Sequence, residues 1–199
     1  MSSAGKADEF FGPLKGKTAT FLLPDRSANL AFARAVTAMV AASGRTCSIF
    51  DLDAFYSSNA GFLFGPPSAS GRGKVFIQVP KPSVRLEDEF PRLFSGGGSV
   101  VIVDTLNTLF HLLSSDEGAY RSRKFSFAVA SLSFTAKESG SAIMLAMYRR
   151  ELLSRGGLGR SMSSYSDVVV SVERKDSGVT MVTERGKAWG EGTFSIRIP

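Results

Sequence analysis

The sequence predicts an α/β protein with a mixed, mainly parallel central sheet that is flanked by helices and followed by antiparallel strands. Short apolar runs alternate with helical patterns as far as Met147, which is typical of a parallel sheet. The run Val100–Val103 is wholly apolar and ends on an acid, Asp104. Three further strand patterns then follow one another without an intervening helix, which indicates an antiparallel meander.

Length and composition favour one soluble domain over residues 1–199, with residues 1–16 as a polar lead-in whose Phe10 and Phe11 pack onto the domain. No apolar run approaches the roughly 20 residues that a membrane-spanning helix needs. The first residues lack an apolar secretion core, so we expect a cytoplasmic protein without a membrane partner. The single cysteine, Cys47, and the single histidine, His111, argue against a zinc site and a catalytic triad.

Apolar runs and chain breakers define the elements of the first half. Pro24 ends the first strand, Ser27 is predicted to cap the helix that follows, and Gly44 to end that helix. The Gly, Ser and Pro content of residues 56–73 predicts a long loop. We expect strands at residues 18–23, 46–50, 74–79 and 99–103, and helices at residues 27–43 and 85–89.

The second half begins with a short apolar helix or turn at residues 105–114 and continues with a longer helix at 123–139. Residues 149–164 are basic and rich in Gly and Ser, so they predict a loop. Lys175–Gly178 is a hairpin signal. The remaining strands are expected at residues 141–147, 167–172, 178–183 and 192–197.

The turn after the first strand is where a nucleotide-hydrolysing α/β protein carries its phosphate loop, GxxxxGK[ST]. Residues 24–29 (PDRSAN) contain no glycine and no lysine, and Asp25 would repel phosphates. Residues 12–18 (GPLKGKT) have three residues between the glycines instead of four, and they precede the strand. Arg26 and Ser27 at the helix start are therefore the candidate nucleotide-binding residues, and internal capping is the favoured alternative.

Two acids follow strand ends and are the candidate catalytic residues. Asp104 stands where a carboxylate would hold the magnesium of a bound nucleotide, and Asp53 where a carboxylate would activate water. The alternative is that both acids serve folding or solubility. We expect no resident cofactor, with ATP and magnesium as the alternative.

The ordered set of motifs resembles the RecA/RadA recombinase superfamily over nearly the whole chain. The resemblance is carried by IFDLDAFY (49–56), VVIVDTLNTLF (100–110) and the closing strands of residues 166–196. It implies a RecA-like fold, with Asp53 matching a catalytic glutamate and Asp104 the magnesium carboxylate of the Walker B strand. The phosphate loop is missing, and Tyr148-Arg149 stand where a phosphate-sensing glutamine would follow the fifth strand. The chain thus resembles a small RadA paralogue of archaeal type, a pseudo-ATPase.

Positive charge is concentrated between Gly118 and Arg160. This segment holds eight basic residues and two acids, which equals the whole net charge of +6. Such a stretch is typical of a protein that binds a polyanion, and the alternative is an ordinary solvated surface. The resemblance places the DNA-binding loops of the family at residues 114–123 and 149–164. The candidate nucleic-acid-binding residues are Arg121, Arg123, Lys124, Arg149, Arg150, Arg155 and Arg160.

Two phenylalanines, Phe62 and Phe64, lie in a segment rich in Gly and Pro. They either fold back onto the core or dock into a neighbouring subunit, which makes them candidate interface residues of a homo-oligomer.

Three functions follow from these observations. The favoured one is a non-hydrolysing RecA-like protein that binds single- or double-stranded DNA, or a recombinase or other RecA-like subunit, and modulates homologous recombination or DNA repair. The first alternative is a divergent magnesium-dependent ATPase that uses Asp53 and Asp104. The second is a scaffold subunit of an oligomeric ring.

Overall fold

An eight-stranded mixed sheet organises the chain. The computed structural model describes residues 3–64, 73–80, 99–113, 118–150, 164–176, 178–190 and 192–197. Its strands are β1 (Thr18–Leu23), β2 (Thr46–Asp51), β3 (Lys74–Gln78), β4 (Val100–Asp104), β5 (Ala142–Tyr148), β6 (Val168–Lys175), β7 (Gly178–Arg185) and β8 (Thr193–Arg197). They pair in the order β3-β2-β4-β5-β1-β6-β7-β8. The first six strands of this order are parallel, and β7 and β8 add antiparallel pairs, so the predicted fold class is confirmed.

Helices cover both faces of the sheet. They are α1 (Ser3–Phe11), α2 (Arg26–Ser43), α3 (Phe55–Ser58), α4 (Ala60–Phe64), α5 (Leu106–Leu112) and α6 (Gly118–Ser139). Phe21 and Leu23 face the cluster that contains residues of α1 to α4, whereas Leu22 faces the cluster of α5 and α6. Because both faces are dry, the parallel strands read as continuous apolar runs instead of alternating ones.

Strand β1 lies in the middle of the sheet, between β5 and β6. All six of its residues are buried, and Thr18 pairs with Ile143 of β5 in parallel register. Its other edge pairs in parallel with β6, from Ala19 opposite Val168. The carboxyl ends of β1, β2, β4, β5 and β6 therefore meet at one edge of the sheet, which we call the carboxyl edge.

The prediction for residues 1–16 is confirmed in the packing of Phe10 and Phe11 but missed the helix that carries them. Residues 3–11 form α1, and Phe10 and Phe11 are buried in the main core. Phe10 stacks on Trp189 with ring centroids 5.4 Å apart, and the Trp189 indole N–H donates to the Phe10 carbonyl oxygen at 3.3 Å. The first helix is therefore part of the core that the last strands complete.

The predicted long loop at residues 56–73 is wrong in its first part, because α3 and α4 occupy residues 55–58 and 60–64. The rest of that loop, the predicted helix at 85–89 and most of the predicted loop at 149–164 lie outside the described residues. None of the helices within the described ranges is long and apolar enough to cross a membrane.

Candidate functional site

The turn between β1 and α2 consists of two residues, Pro24 and Asp25. Asp25 is extended and is the N-cap of α2, since its carboxylate accepts the Ala28 N–H at 2.8 Å and the Ser27 hydroxyl at 2.7 Å. These hydrogen bonds lower the pKa of Asp25 below its ordinary value of 3.8. Of the two residues that could satisfy this helix N-terminus internally, Asp25 and Ser27, Asp25 therefore makes the cap and Ser27 supports it.

We expect Asp25→Ala to lower the free energy of unfolding by about 1–2 kcal/mol at neutral pH, because α2 loses its N-cap. Asp25→Asn should retain most of the stability, since asparagine caps equally well. Because the folded-state pKa is lowered, the contribution of the charge is present above the unfolded value and is lost as the pH falls below it. Urea unfolding at neutral and acidic pH measures both effects, and equal losses in the two variants would contradict the capping role.

Asp104 lies at the end of β4 and is fully buried. The Asn29 side-chain amide donates to its two carboxylate oxygens at 3.3 and 3.4 Å, and to the Tyr148 hydroxyl at 3.3 Å. Burial, together with the nearby charges of Asp53 and Asp51, raises the pKa of Asp104 to about 7, although the Asn29 hydrogen bond opposes this shift. The side-chain carbonyl oxygen of Asn29, Oδ1, is buried and accepts no hydrogen bond from the described residues.

The two other acids at this edge are held by neighbouring helices. Asp53 accepts the Thr105 hydroxyl at 3.0 Å and also the hydroxyl of Thr108, so the start of α5 fixes its carboxylate. Asp51 accepts the backbone N–H groups of Tyr56 and Ser57 at 3.1 and 2.8 Å, and the Ser57 hydroxyl at 2.8 Å. Asp51 therefore anchors the first turn of α3, which is a structural role.

A cleft of about 380 Å³ opens between the start of α2 and the segment that joins β2 to α3. It brings together three of the residues that the sequence singled out, Arg26, Ser27 and Asp53. Asp104 is not among the residues that line it. The rest of the lining comes from Leu30, Ala54, Phe55, Ser58 and Asn59.

These residues do not fit the ATP and magnesium that the resemblance to recombinases implies. A phosphate loop wraps backbone N–H groups around the anion, whereas this turn has two residues and its helix N-terminus already binds the Asp25 carboxylate. Protein-bound Mg²⁺ usually retains several waters, but Asp104 is fully buried. Within the described ranges, no group of three or more His, Cys, Asp or Glu residues is arranged to hold a metal.

No protein-family model matches this sequence, and no curated protein matches it either. The relationship to the RecA/RadA superfamily thus stays a prediction that rests on the order of the motifs and on their amino-acid sequences.

Basic side chains collect at the carboxyl edge. Arg149 and Arg150 directly follow β5 and are exposed, and Arg149 pairs with Glu184 at 3.2 Å. Helix α6 returns the chain from the carboxyl end of β4 to the amino end of β5, so its first turns, with exposed Arg123 and half-buried Lys124, lie toward the same edge. The side chain of Arg121, and Arg155 and Arg160 as a whole, lie outside the described part of the chain.

Sequence reasoning missed several residues of this site. Arg174 is exposed near the end of β6, and its charge contributes to the low pKa of Asp25. It reaches the site because β6 is parallel to β1, which places the β6–β7 hairpin at the carboxyl edge. The sequence pattern marks Asn29 only as part of a turn, although its side-chain amide is the donor that links Asp104 to Tyr148. The sequence predicts the hairpin at Lys175–Gly178, but it does not show which other segments lie next to that hairpin in the fold.

The two candidate interface residues differ. Phe64 is partly buried against the core, and Leu63 next to it is buried, so this part of the segment folds back onto the domain. Phe62 is half exposed and lies under the Arg34 guanidinium, 4.5 Å from the ring centroid. Docking of Phe62 into a neighbouring subunit stays a prediction. Tyr148 is partly buried and packs against the core.

Proposed function

We propose that this chain is a non-hydrolysing RecA-like protein that binds DNA through the basic residues of its carboxyl edge and modulates recombination or repair. The observation that carries the proposal is the closed turn before α2. The Asp25 carboxylate occupies the helix N-terminus where a phosphate would bind. This edge of the sheet is therefore suited to binding a partner and not to hydrolysing a nucleotide.

The charge distribution supports DNA as the partner. Five basic residues from four separate segments lie at or toward the carboxyl edge, and each is exposed or lines the cleft. A phosphate backbone requires several cations spread over a surface, and it tolerates variable geometry. These residues are Arg26, Arg123, Arg149, Arg150 and Arg174.

Fluorescence anisotropy with a labelled single-stranded oligonucleotide tests the proposal. We expect binding at low salt with an affinity that falls steeply as salt increases, because phosphate contacts release counterions. The double variant Arg149→Glu/Arg150→Glu should weaken binding by about tenfold or more and reduce the salt slope by about 2.

The matched control is Lys15→Glu/Lys74→Glu, which makes the same charge change at two exposed residues of the opposite edge. Equal losses in both double variants would show that net charge, and not the carboxyl edge, governs binding. Absence of binding at low salt would refute the DNA contact and direct attention to a recombinase partner. ATP turnover that Asp104→Asn abolishes would favour the divergent ATPase instead.

A further inference from the structure

Helix α6 has an outer face that the sheet does not use. Its inner face, formed by Phe125, Val129 and Leu132, is buried in the cluster beneath α5 and α6. On the opposite side, Phe127 is 70% exposed and Phe134 is 65% exposed. Residues seven apart lie on the same side of a helix, so the two rings form one apolar patch. Exposed aromatic patches of this kind mark interaction surfaces.

The hydroxyl groups next to these rings are satisfied by the helix itself. Ser131 donates to the Phe127 carbonyl oxygen at 2.9 Å, Thr135 to the Ser131 carbonyl oxygen at 2.8 Å, and Ser139 to the Thr135 carbonyl oxygen at 2.7 Å. Because these donors already have acceptors, another surface can cover this face without leaving the hydroxyl hydrogens unpaired.

The residues of the outer face form a palindrome about the midpoint between Ala130 and Ser131. Phe127 precedes this midpoint by as many residues as Phe134 follows it. Arg123 and Glu138, both exposed, are related in the same way and carry opposite charges. In a two-fold symmetric contact, residue i of one subunit touches residue j of the other, and j touches i. An antiparallel pair of α6 helices would therefore place Phe127 against Phe134 and Arg123 against Glu138. The same relation brings Lys124 toward Lys137, whose charge is offset by Asp167 at 3.8 Å.

We propose that the outer face of α6 is a dimer interface that binds α6 of a second copy of this chain in antiparallel orientation. The two-fold axis passes between Ala130 and Ser131, whose small side chains let the helices approach closely. Phe127 packs on Phe134 of the second copy, and Arg123 pairs with Glu138 of the second copy, each contact occurring twice. A parallel pairing would instead place like charges together at both ends. The proposal does not depend on DNA binding, and in the dimer Arg123 is engaged by Glu138, which leaves Arg26, Arg149, Arg150 and Arg174 for the DNA contact.

Charge reversal tests the arrangement directly, by sedimentation equilibrium over a range of protein concentrations. The wild type is expected to approach twice the chain mass of 21.3 kDa. Arg123→Glu and Glu138→Arg should each raise the dissociation constant by about tenfold, since each places like charges opposite one another twice. The double variant Arg123→Glu/Glu138→Arg should restore the wild-type value. Both side chains are exposed, so the fold tolerates the changes, and circular dichroism verifies this.

The aromatic contacts and the axis are tested separately. Phe127→Asp should abolish dimerisation, whereas Phe62→Asp, at an exposed phenylalanine of α4, should not. Ser131→Cys should form an intermolecular disulfide under mild oxidation, while the wild type, with its buried Cys47, forms none. A wild type that stays monomeric at high concentration, a double charge reversal without rescue, or dimerisation that depends on Phe62 and not on Phe127 would overturn the proposal.

Discussion

Replacing Phe10 with alanine is expected to lower the free energy of unfolding by about 3–5 kcal/mol. Phe10 is fully buried, and its ring meets those of Phe11, Trp189 and Phe194 at centroid distances of 4.9, 5.4 and 5.2 Å. Truncation leaves a cavity among rigid rings that cannot collapse to fill it. The loss should therefore be at the upper end of the range for large-to-small changes.

The protein carries its own probe for this prediction, because Trp189 is the single tryptophan and stacks on Phe10. Unfolding in guanidinium chloride, followed by tryptophan fluorescence and by circular dichroism, should show the same shift in midpoint with both probes. Phe62→Ala is the control, since its half-exposed ring should cost at most about 1 kcal/mol. A loss of similar size in both variants, or a change in fluorescence alone, would mean that α1 is not part of the cooperative core.

Asp104→Asn is expected to stabilise the protein at mildly alkaline pH by about 2–4 kcal/mol, because the wild type must bury a charge there. The shift of the Asp104 pKa from 3.8 to about 7 has burial as its largest cause, and asparagine removes the charge with little change in shape. The side-chain oxygen of the new asparagine can still accept the Asn29 amide hydrogen bond that Asp104 accepts.

The effect has a defined pH dependence. Below about pH 4, Asp104 is protonated in both the folded and the unfolded chain, so the variant and the wild type should differ little. Between the unfolded value of 3.8 and the folded value of about 7, only the folded chain keeps the proton. The stability contributed by this site therefore falls as the pH rises through that window, and it is constant above it.

Urea unfolding of both proteins across this window measures the difference. The stability difference should grow with pH and level off above neutrality. Asp176→Asn, at an exposed position of the β6–β7 hairpin, is the matched control and should leave the pH dependence unchanged. A difference that does not vary with pH, or a variant that is less stable throughout, would show that Asp104 is ionised at little cost in the fold.

Most strands were predictable because apolar run length is a local property. The runs at Thr18–Leu23 and Val100–Asp104 are strands at or within one residue of the predicted ends. The signal for α1 was present but was overlooked, since Ala7, Phe10, Phe11 and Leu14 have helical spacing and are all fully or almost fully buried. Ser27 and Asp25 are both residue types that cap helices, and the pattern does not decide between them; in the structure Asp25 has the extended backbone of an N-cap.

The candidate site was predictable only in part. Asp53 and Asp104 were identified because strand-end acids are a local signal. Their environments were not, because Asn29 reaches Asp104 across 75 positions of sequence and Tyr148 across 119. Such contacts depend on strand order, and the order β4-β5-β1-β6 is set by long-range pairing that no local pattern contains. The raised pKa of Asp104 follows from that assembly.

The central place of β1 has a consequence for how the protein is made. Thr18 pairs with Ile143 of β5, and Ala19 pairs with Val168 of β6, so both partners of β1 lie more than 100 residues further along the chain. Until they have been synthesised, the nascent chain carries a strand that is buried in the finished fold but has no neighbours, and a first helix whose aromatic side chains lack Trp189. We therefore expect β1 to stay unpaired until β5 and β6 have been made, and chains that terminate before β6 to aggregate.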